Sequence, residues 1–261
     1  MKVIAVSNQK GGVGKTTSCV DLAASLCYLK KKILLIDFDL QTNLSKYMGA
    51  DLSLPSMYDV LHGTASVDAA IQHLGKLDFI PASKSMSMVD RQFVDSDDVF
   101  LLSDIMDIIR ENGDYDYVLI DSGPSKNILL QMMYIAADYV IIPSDCDEGS
   151  LDGVTDVNED IVKLRDGKRK YSHAEVLGFI LTKYEKTNMH QSTLTNLQEI
   201  AENLPQKLQP FVLTVRKSIA VSETKKLNMS LQQYSRYSKP AEDYRKIAKA
   251  VIEKTEVEHA K

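Results

Sequence analysis

Cysteine is scarce in this sequence, and long apolar runs and linker-like stretches are missing. Each absence removes a class of protein. The three cysteines, Cys19, Cys27 and Cys146, form no CxxC pair and have no histidine close by. Neither a disulfide framework nor a zinc site is therefore expected. Cys19 and Cys27 fall on one helical face and read as small buried apolar residues. No apolar run approaches the roughly 18 residues that a membrane span needs. No signal peptide precedes the first strand-like segment, residues 2–7. Together these features predict a cytoplasmic protein. With no internal repeat, no low-complexity segment and no Pro/Gly/Ser linker, residues 1–261 are expected to form a single domain.

Hydrophobic residues make up 44% and charged residues 26% of the 261, ordinary values for a chain with a sizeable core. The formal net charge of −5 hides an uneven distribution. Residues 1–160 hold 12 Lys/Arg against 25 Asp/Glu, whereas residues 161–261 hold 19 against 11. A polyanion-binding face in the C-terminal part would explain this asymmetry, and so would a solvated lysine-rich surface.

Short apolar runs alternate with helical patterns, the signal for βαβ units and a parallel sheet. Strands are expected at residues 2–7, 33–37, 77–80, 117–121, 139–143 and 176–182. They are continuous Val/Ile/Leu runs, as befits a sheet with helices on both faces. Helices are expected at 16–31, 99–112, 128–137, 149–164, 190–202 and 241–254, with 205–210 as a break between elements. The fold class is thus α/β: one doubly wound, mostly parallel sheet flanked by helices.

Directly after the first strand comes Asn8-Gln9-Lys10-Gly11-Gly12-Val13-Gly14-Lys15-Thr16-Thr17, followed by a helix. Glycines let the backbone curl so that successive N–H groups point inward around phosphate oxygens. The helix adds the positive end of its dipole at the same place. Lys15 suits the β- and γ-phosphates, and the Thr16 hydroxyl suits Mg²⁺. The nucleotide cradle is therefore assigned to residues Lys10, Gly11, Gly12, Val13, Gly14, Lys15, Thr16 and Thr17. The standard pattern has glycine where this sequence has Gln9, and a second lysine, Lys10, stands at the loop entrance.

The run Lys10 to Thr17 resembles the deviant Walker A motif of the ParA/MinD group of P-loop ATPases. That resemblance implies ATP and Mg²⁺ as cofactors and a homodimer closed around ATP. It also implies that Lys10 reaches the nucleotide held by the partner subunit, joining Lys15 and Asp39 as catalytic residues. Asp37-Phe38-Asp39-Leu40-Gln41-Thr42-Asn43 ends the second strand and is similar to the family's first switch. By that match Asp39 activates water and Asp37 supports the metal site; capping of the next helix by these carboxylates is the other reading. Leu40 replaces the usual proline. Tyr117-Val118-Leu119-Ile120-Asp121 has the Walker B form, four apolar residues carrying a carboxylate to the sheet edge, so that Asp121 would hold Mg²⁺ with Thr16. Ser122-Gly123-Pro124-Ser125 resembles the second switch, with Gly123 in place of a proline, which leaves the loop's stiffness open.

The likeness to ParA proteins continues through residues 139–153, through 178–182, where Thr182 is expected to contact the base, and through the closing helix. It implies ATP-dependent binding to double-stranded DNA without sequence preference, nucleoid association in the ATP state, and stimulation by a ParB-like centromere-binding partner. The DNA-binding pool is Arg216, Lys217, Lys225, Lys226, Arg236, Lys239 and Arg245, with Arg216 and Lys217 in the best-matching positions. Because the phosphate loop begins at residue 8, no N-terminal helix-turn-helix and no operator binding are expected. A MinD-like membrane ATPase is the alternative. Its amphipathic anchor has little counterpart in the acidic residues 251–261, so stable membrane association is not expected. Tyr234, Tyr237 and Tyr244 are read as packing residues rather than as a kinase's tyrosine cluster, and the paired cysteines of an iron-protein ATPase are missing. A ParA-like positioner of a protein cargo also remains open.

Overall fold

A computed structural model describes residues 1–124, 126–147 and 149–256. Ser125 of the second-switch segment, Glu148 of the 139–153 stretch and residues 257–261 of the tail lie outside the described residues. Eight strands build one sheet: β1 (Lys2–Val6), β2 (Ile33–Phe38), β3 (Gln72–Leu74), β4 (Leu77–Ile80), β5 (Tyr117–Ser122), β6 (Tyr139–Ser144), β7 (Glu175–Tyr184) and β8 (Phe211–Arg216). Their order is β3-β4-β2-β5-β1-β6-β7-β8, and every neighbouring pair is parallel except β3 with β4.

The continuous apolar strands are explained by two cores, one on each face. Val3 and Ala5 of β1 enter one core while Ile4 and Val6 enter the other, and Val118 and Ile120 are separated from Tyr117 and Leu119 in the same way. A strand residue points opposite to its neighbour, so covering both faces demands hydrophobicity at every position. Each fully buried Val, Leu or Ile contributes roughly 1.5–3 kcal/mol. Helices Leu101–Asn112, Ile128–Ala136, Ser150–Asp166 and Asn188–Asn203 close the larger core, and Lys15–Tyr28 with Lys239–Glu256 closes the other.

Two strands go beyond the sequence expectation. β3 is three residues long with only Leu74 apolar, and it pairs through the turn at Gly75 with β4. β8 is a partly exposed edge strand, and its Phe211 ring lies where a Cβ on Gly178 would sit at 2.4 Å. The first helix ends at Tyr28, short of the expected residue 31. Lys30 takes a left-handed φ of 66°, Lys31 N–H bonds to Leu26 C=O and Lys30 N–H to Cys27 C=O. This is a Schellman stop made without glycine. Tyr244 packs as expected, but Tyr237 is 92% exposed, which corrects the reading of all three C-terminal tyrosines as packing residues.

The helix that follows the phosphate loop is tied to the C-terminal segment by polar contacts. The Ser18 and Tyr244 hydroxyls pair at 3.1 Å, Gln232 Nε2 donates to Ser25 Oγ at 3.1 Å, and Asp21 Oδ1 accepts from Leu231 N–H at 2.7 Å. Asp21 is fully buried, and its Oδ2 has no hydrogen-bond partner among the described residues. Burial raises its pKa from 3.8 to about 7, against the lowering effect of the Leu231 amide. Between these two values the folded chain binds more protons than the unfolded one, so this carboxyl costs stability as pH rises through the window and keeps its full penalty above it. Asp21→Asn mimics the protonated form. Its melting temperature relative to the wild type should rise from pH 5 to pH 8, by an amount reflecting a penalty on the order of a few kcal/mol. A parallel pH course in thermal denaturation would contradict this.

Candidate nucleotide and metal site

The chain crosses from β1 to β2 on one side, while β6 lies on the other side of β1. Connections therefore diverge above the C-terminal strand ends, where open α/β sheets bind ligands. Residues 8–14 occupy that crevice. Gly12 and Gly14 have φ of 81° and 93°, in the left-handed region that a side chain rarely adopts. Chain neighbours apart, no described atom lies within 4 Å of a Cβ built on Gly11 or Gly12, so it is the backbone angle and not crowding that calls for glycine at Gly12. The helix starting at Lys15 has no side-chain cap. Its first N–H groups are thus left to an anion.

Lys15 is 8% exposed, and its Nζ donates to the Lys10 carbonyl at 3.0 Å. Burial lowers its pKa, and Asp121 and Asp39 oppose that shift. The sequence expectation thus places Lys15, Asp39 and Asp121 around one point, and the structure brings them together. Thr16 and Thr17 follow in the first helical turn, half-buried.

Asp37 and Asp121 are partners in register on β2 and β5, so their carboxylates emerge side by side. They differ in how they are satisfied. Asp37 Oδ2 accepts from Ser45 N–H at 2.8 Å and Ser45 Oγ at 2.6 Å, and Oδ1 from Asp39 N–H at 3.1 Å. Asp37 therefore braces the helix Asn43–Met48, the alternative role left open for it, while standing beside Asp121. Burial still raises its pKa to about 6. Asp121 is fully buried, and neither carboxylate oxygen has a hydrogen-bond partner of ordinary geometry among the described residues. Burial and the neighbouring Asp37 push its pKa well up, while the Thr16 hydroxyl works in the other direction. An orphaned carboxylate beside a threonine hydroxyl is a donor set of the hard-oxygen kind that suits Mg²⁺.

Asp39 is 4% exposed, and its Oδ1 accepts from Gln41 N–H at 3.0 Å. A Cβ on Gly123 would stand 2.6 Å from that same oxygen. Glycine here makes room for Asp39, so the second switch gives way to the first. Leu40, the other departure from the family pattern, packs its side chain against the larger core. Thr182 Oγ1 donates to Val13 C=O at 2.9 Å and approaches Ser144 C=O at 3.1 Å, which fixes it against the phosphate loop.

Sequence reasoning missed several residues that shape the loop. Asn8 donates to Pro143 C=O and accepts from Lys10 N–H, both at 2.8 Å, and a Cβ on Gly153 would collide with it at 2.4 Å. Gln9 Nε2 donates to Asp160 Oδ2 at 2.7 Å. Asp145 directly follows β6 and faces Lys10 Nζ at 3.4 Å. Its position after an apolar strand is the signal that picked out Asp37 and Asp121.

The basic pool divides. Arg216 is bound to Asp243 through two nitrogens, at 2.6 and 2.8 Å, and Lys217 pairs with Glu185 at 2.9 Å. Lys225 and Lys226 are exposed in the last turn of the helix Ile219–Leu227, and Lys239 is exposed at the start of the last helix. Arg236 and Arg245 flank the half-exposed Tyr28 ring at 5.9 and 5.6 Å.

The geometry predicts a specific lesion. Gly123→Ala should displace the Asp39 carboxylate and lower ATP turnover by about tenfold to a hundredfold. Nucleotide affinity should stay within about twofold, because Lys15 and the loop amides are untouched. Equal turnover in steady-state kinetics would show that Asp39 does not need this space.

A family model described as an AAA domain matches residues 1–172. The chain is 33% identical over 266 residues to the chromosome partitioning protein ParA of Caulobacter vibrioides, covering 100% of this chain and 97% of that one. A plasmid partition protein from Borrelia burgdorferi bound to AMPPNP superposes with a TM-score of 0.81 at 24% identity, over 97% and 99% of the two chains. A cobyrinic acid a,c-diamide synthase from Mycobacterium smegmatis, solved with an ATP analogue and magnesium, gives 0.77 at 26% identity over 97% and 94%. With the phosphate loop, the paired strand-end carboxylates and the sheet order all in place, the chain belongs to the ParA family of P-loop ATPases.

Proposed function

We propose that this chain works as one ATPase domain that partitions DNA: two subunits close around ATP, bind duplex DNA without sequence preference, and let go after hydrolysis. The observation that carries the nucleotide half is the buried Asp121 carboxylate, unpartnered beside Thr16 and Lys15. When ATP enters, the loop amides and the uncapped helix end take its phosphates. Lys15 exchanges the Lys10 carbonyl for phosphate oxygens and carries positive charge to where charge develops. Thr16 and Asp121, with Asp37 behind them, would hold Mg²⁺, which would supply charge neutralisation on the phosphates. Asp39 orients the attacking water, and Lys10 reaches the nucleotide of the other subunit. Thr182 lies at the loop edge where a base contact is expected.

The DNA half rests on the exposed Lys225, Lys226, Arg236 and Lys239 with Arg245, since phosphate contacts alone supply non-specific affinity. Arg216 and Lys217 stand beside them in ion pairs that DNA phosphates would have to open. Hydrolysis on this reading is a slow timer, hastened by a ParB-like partner, and the protein works in the cytoplasm, on the nucleoid when ATP-bound. Among the described residues no helix is long and apolar enough to cross a membrane.

Binding to arbitrary-sequence duplex, titrated with ATP and with ADP across salt, tests this reading. ATP-dependent binding that is lost in Lys10→Ala is the expected result. Replacing both Lys225 and Lys226 by Glu should weaken binding on every sequence and lower the salt slope by about two. ATP binding without DNA affinity at low salt would overturn the partitioning role and favour a protein cargo.

A further inference from the structure

Asp145 sits at the sheet edge that carries Asp37 and Asp121, directly after β6, and it is 3% exposed. Its two oxygens meet two different lysines: Oδ1 faces Lys10 Nζ at 3.4 Å, and Oδ2 accepts from Lys183 Nζ at 3.1 Å. The Asp147 N–H also reaches Oδ1, at 3.4 Å. The neighbourhood is shaped for this contact. Lys183 has a left-handed φ of 53°, at the place where the β7–β8 register shifts between Leu181 and Tyr184. A side chain in that region carries backbone strain that its surroundings must offset. Its neighbour Thr182 is the residue bonded to Val13 of the phosphate loop.

Lys10 is the residue assigned above to the nucleotide of the other subunit, and the present inference rests on that reading. On that reading the Lys10 ammonium exchanges Asp145 of its own subunit for a phosphate across the dimer. We propose that Asp145 holds Lys10 within its own subunit when the dimer is open, and thereby sets the ATP concentration at which two subunits close. Lys183 makes this hold releasable. A buried carboxylate stripped of its cation is strongly unfavourable. Because Lys183 remains on Oδ2, the departure of Lys10 does not leave Asp145 without a positive partner. Removing Asp145 and removing Lys183 therefore have opposite effects on this tie: the first abolishes it, and the second tightens it. A purely structural role for this ion pair would give effects of one sign.

Two readouts on the full chain test this. In nucleotide-free protein, acetylation of Lys10 by acetic anhydride, read by mass spectrometry against the other lysines, should quicken in Asp145→Asn and slow in Lys183→Met. In sedimentation at increasing Mg·ATP, the half-point of dimer formation should fall by about threefold to tenfold in Asp145→Asn and rise in Lys183→Met. Lys183→Met changes an exposed side chain and keeps the test open if Asp145→Asn folds poorly. Unchanged Lys10 acetylation in the variants, or shifts of the same sign, would overturn the hold. If the wild type formed no dimer with ATP while acetylation followed the expected pattern, the dimer reading and the gating would fall, and the hold would stand.

Discussion

Asp37 and Asp121 leave neighbouring strands at the same register level, and both are withdrawn from water. Two carboxylates so placed repel each other and lose hydration, which favours the neutral form of each. The surrounding chain answers only part of this. Ser45 and the Asp39 amide satisfy Asp37, whereas Asp121 faces Thr16 and Lys15 with no full partner among the described residues. The remaining demand is for a cation and its phosphate, and the open loop amides are the complementary demand for an anion. The positive and negative deficits lie side by side at the strand ends, where Mg·ATP would meet both at once.

Close approaches keep these groups in register. Gly123 yields to Asp39, Gly153 yields to Asn8, and Thr182 leans on the loop backbone at Gly14. Each is a contact between segments far apart in sequence, so the loop, the two switch segments and the strand ends form one packed unit. Ser18, Asp21 and Ser25 extend that unit along the first helix to Tyr244, Leu231 and Gln232. Gln232 in turn accepts from Arg245, one of the basic residues beside Tyr28. Separate polar contacts thus line the first helix between the phosphate site and the surface proposed for DNA.

Much of this was legible in the sequence, for identifiable reasons. The central strands are buried on both faces and announce themselves as unbroken Val/Ile/Leu runs, and the glycine-rich loop has a composition that little else requires. β3 escaped because a three-residue edge hairpin carries no pattern. The early end of the first helix escaped because a lysine, not a glycine, takes the left-handed stop. Within the site, Lys10, Lys15, Thr16, Asp39 and Asp121 could be named from motif and strand ends. What a linear reading could not give was which carboxylate is already satisfied: Ser45, eight residues beyond Asp37, meets it only through the turn between them. For the same reason Arg216 looked available for DNA until Asp243, from the last helix, was seen to hold it.

The ligand-free fold tolerates a cost at Asp121 for the sake of its ligand. Thermal denaturation of wild type and Asp121→Asn, each with and without a Mg-bound non-hydrolysable ATP analogue, tests it directly. The amide should melt higher than the wild type in the absence of ligand and lower in its presence, because it removes a buried unpartnered charge and a metal ligand at once. An amide variant that is already less stable without ligand would contradict the account.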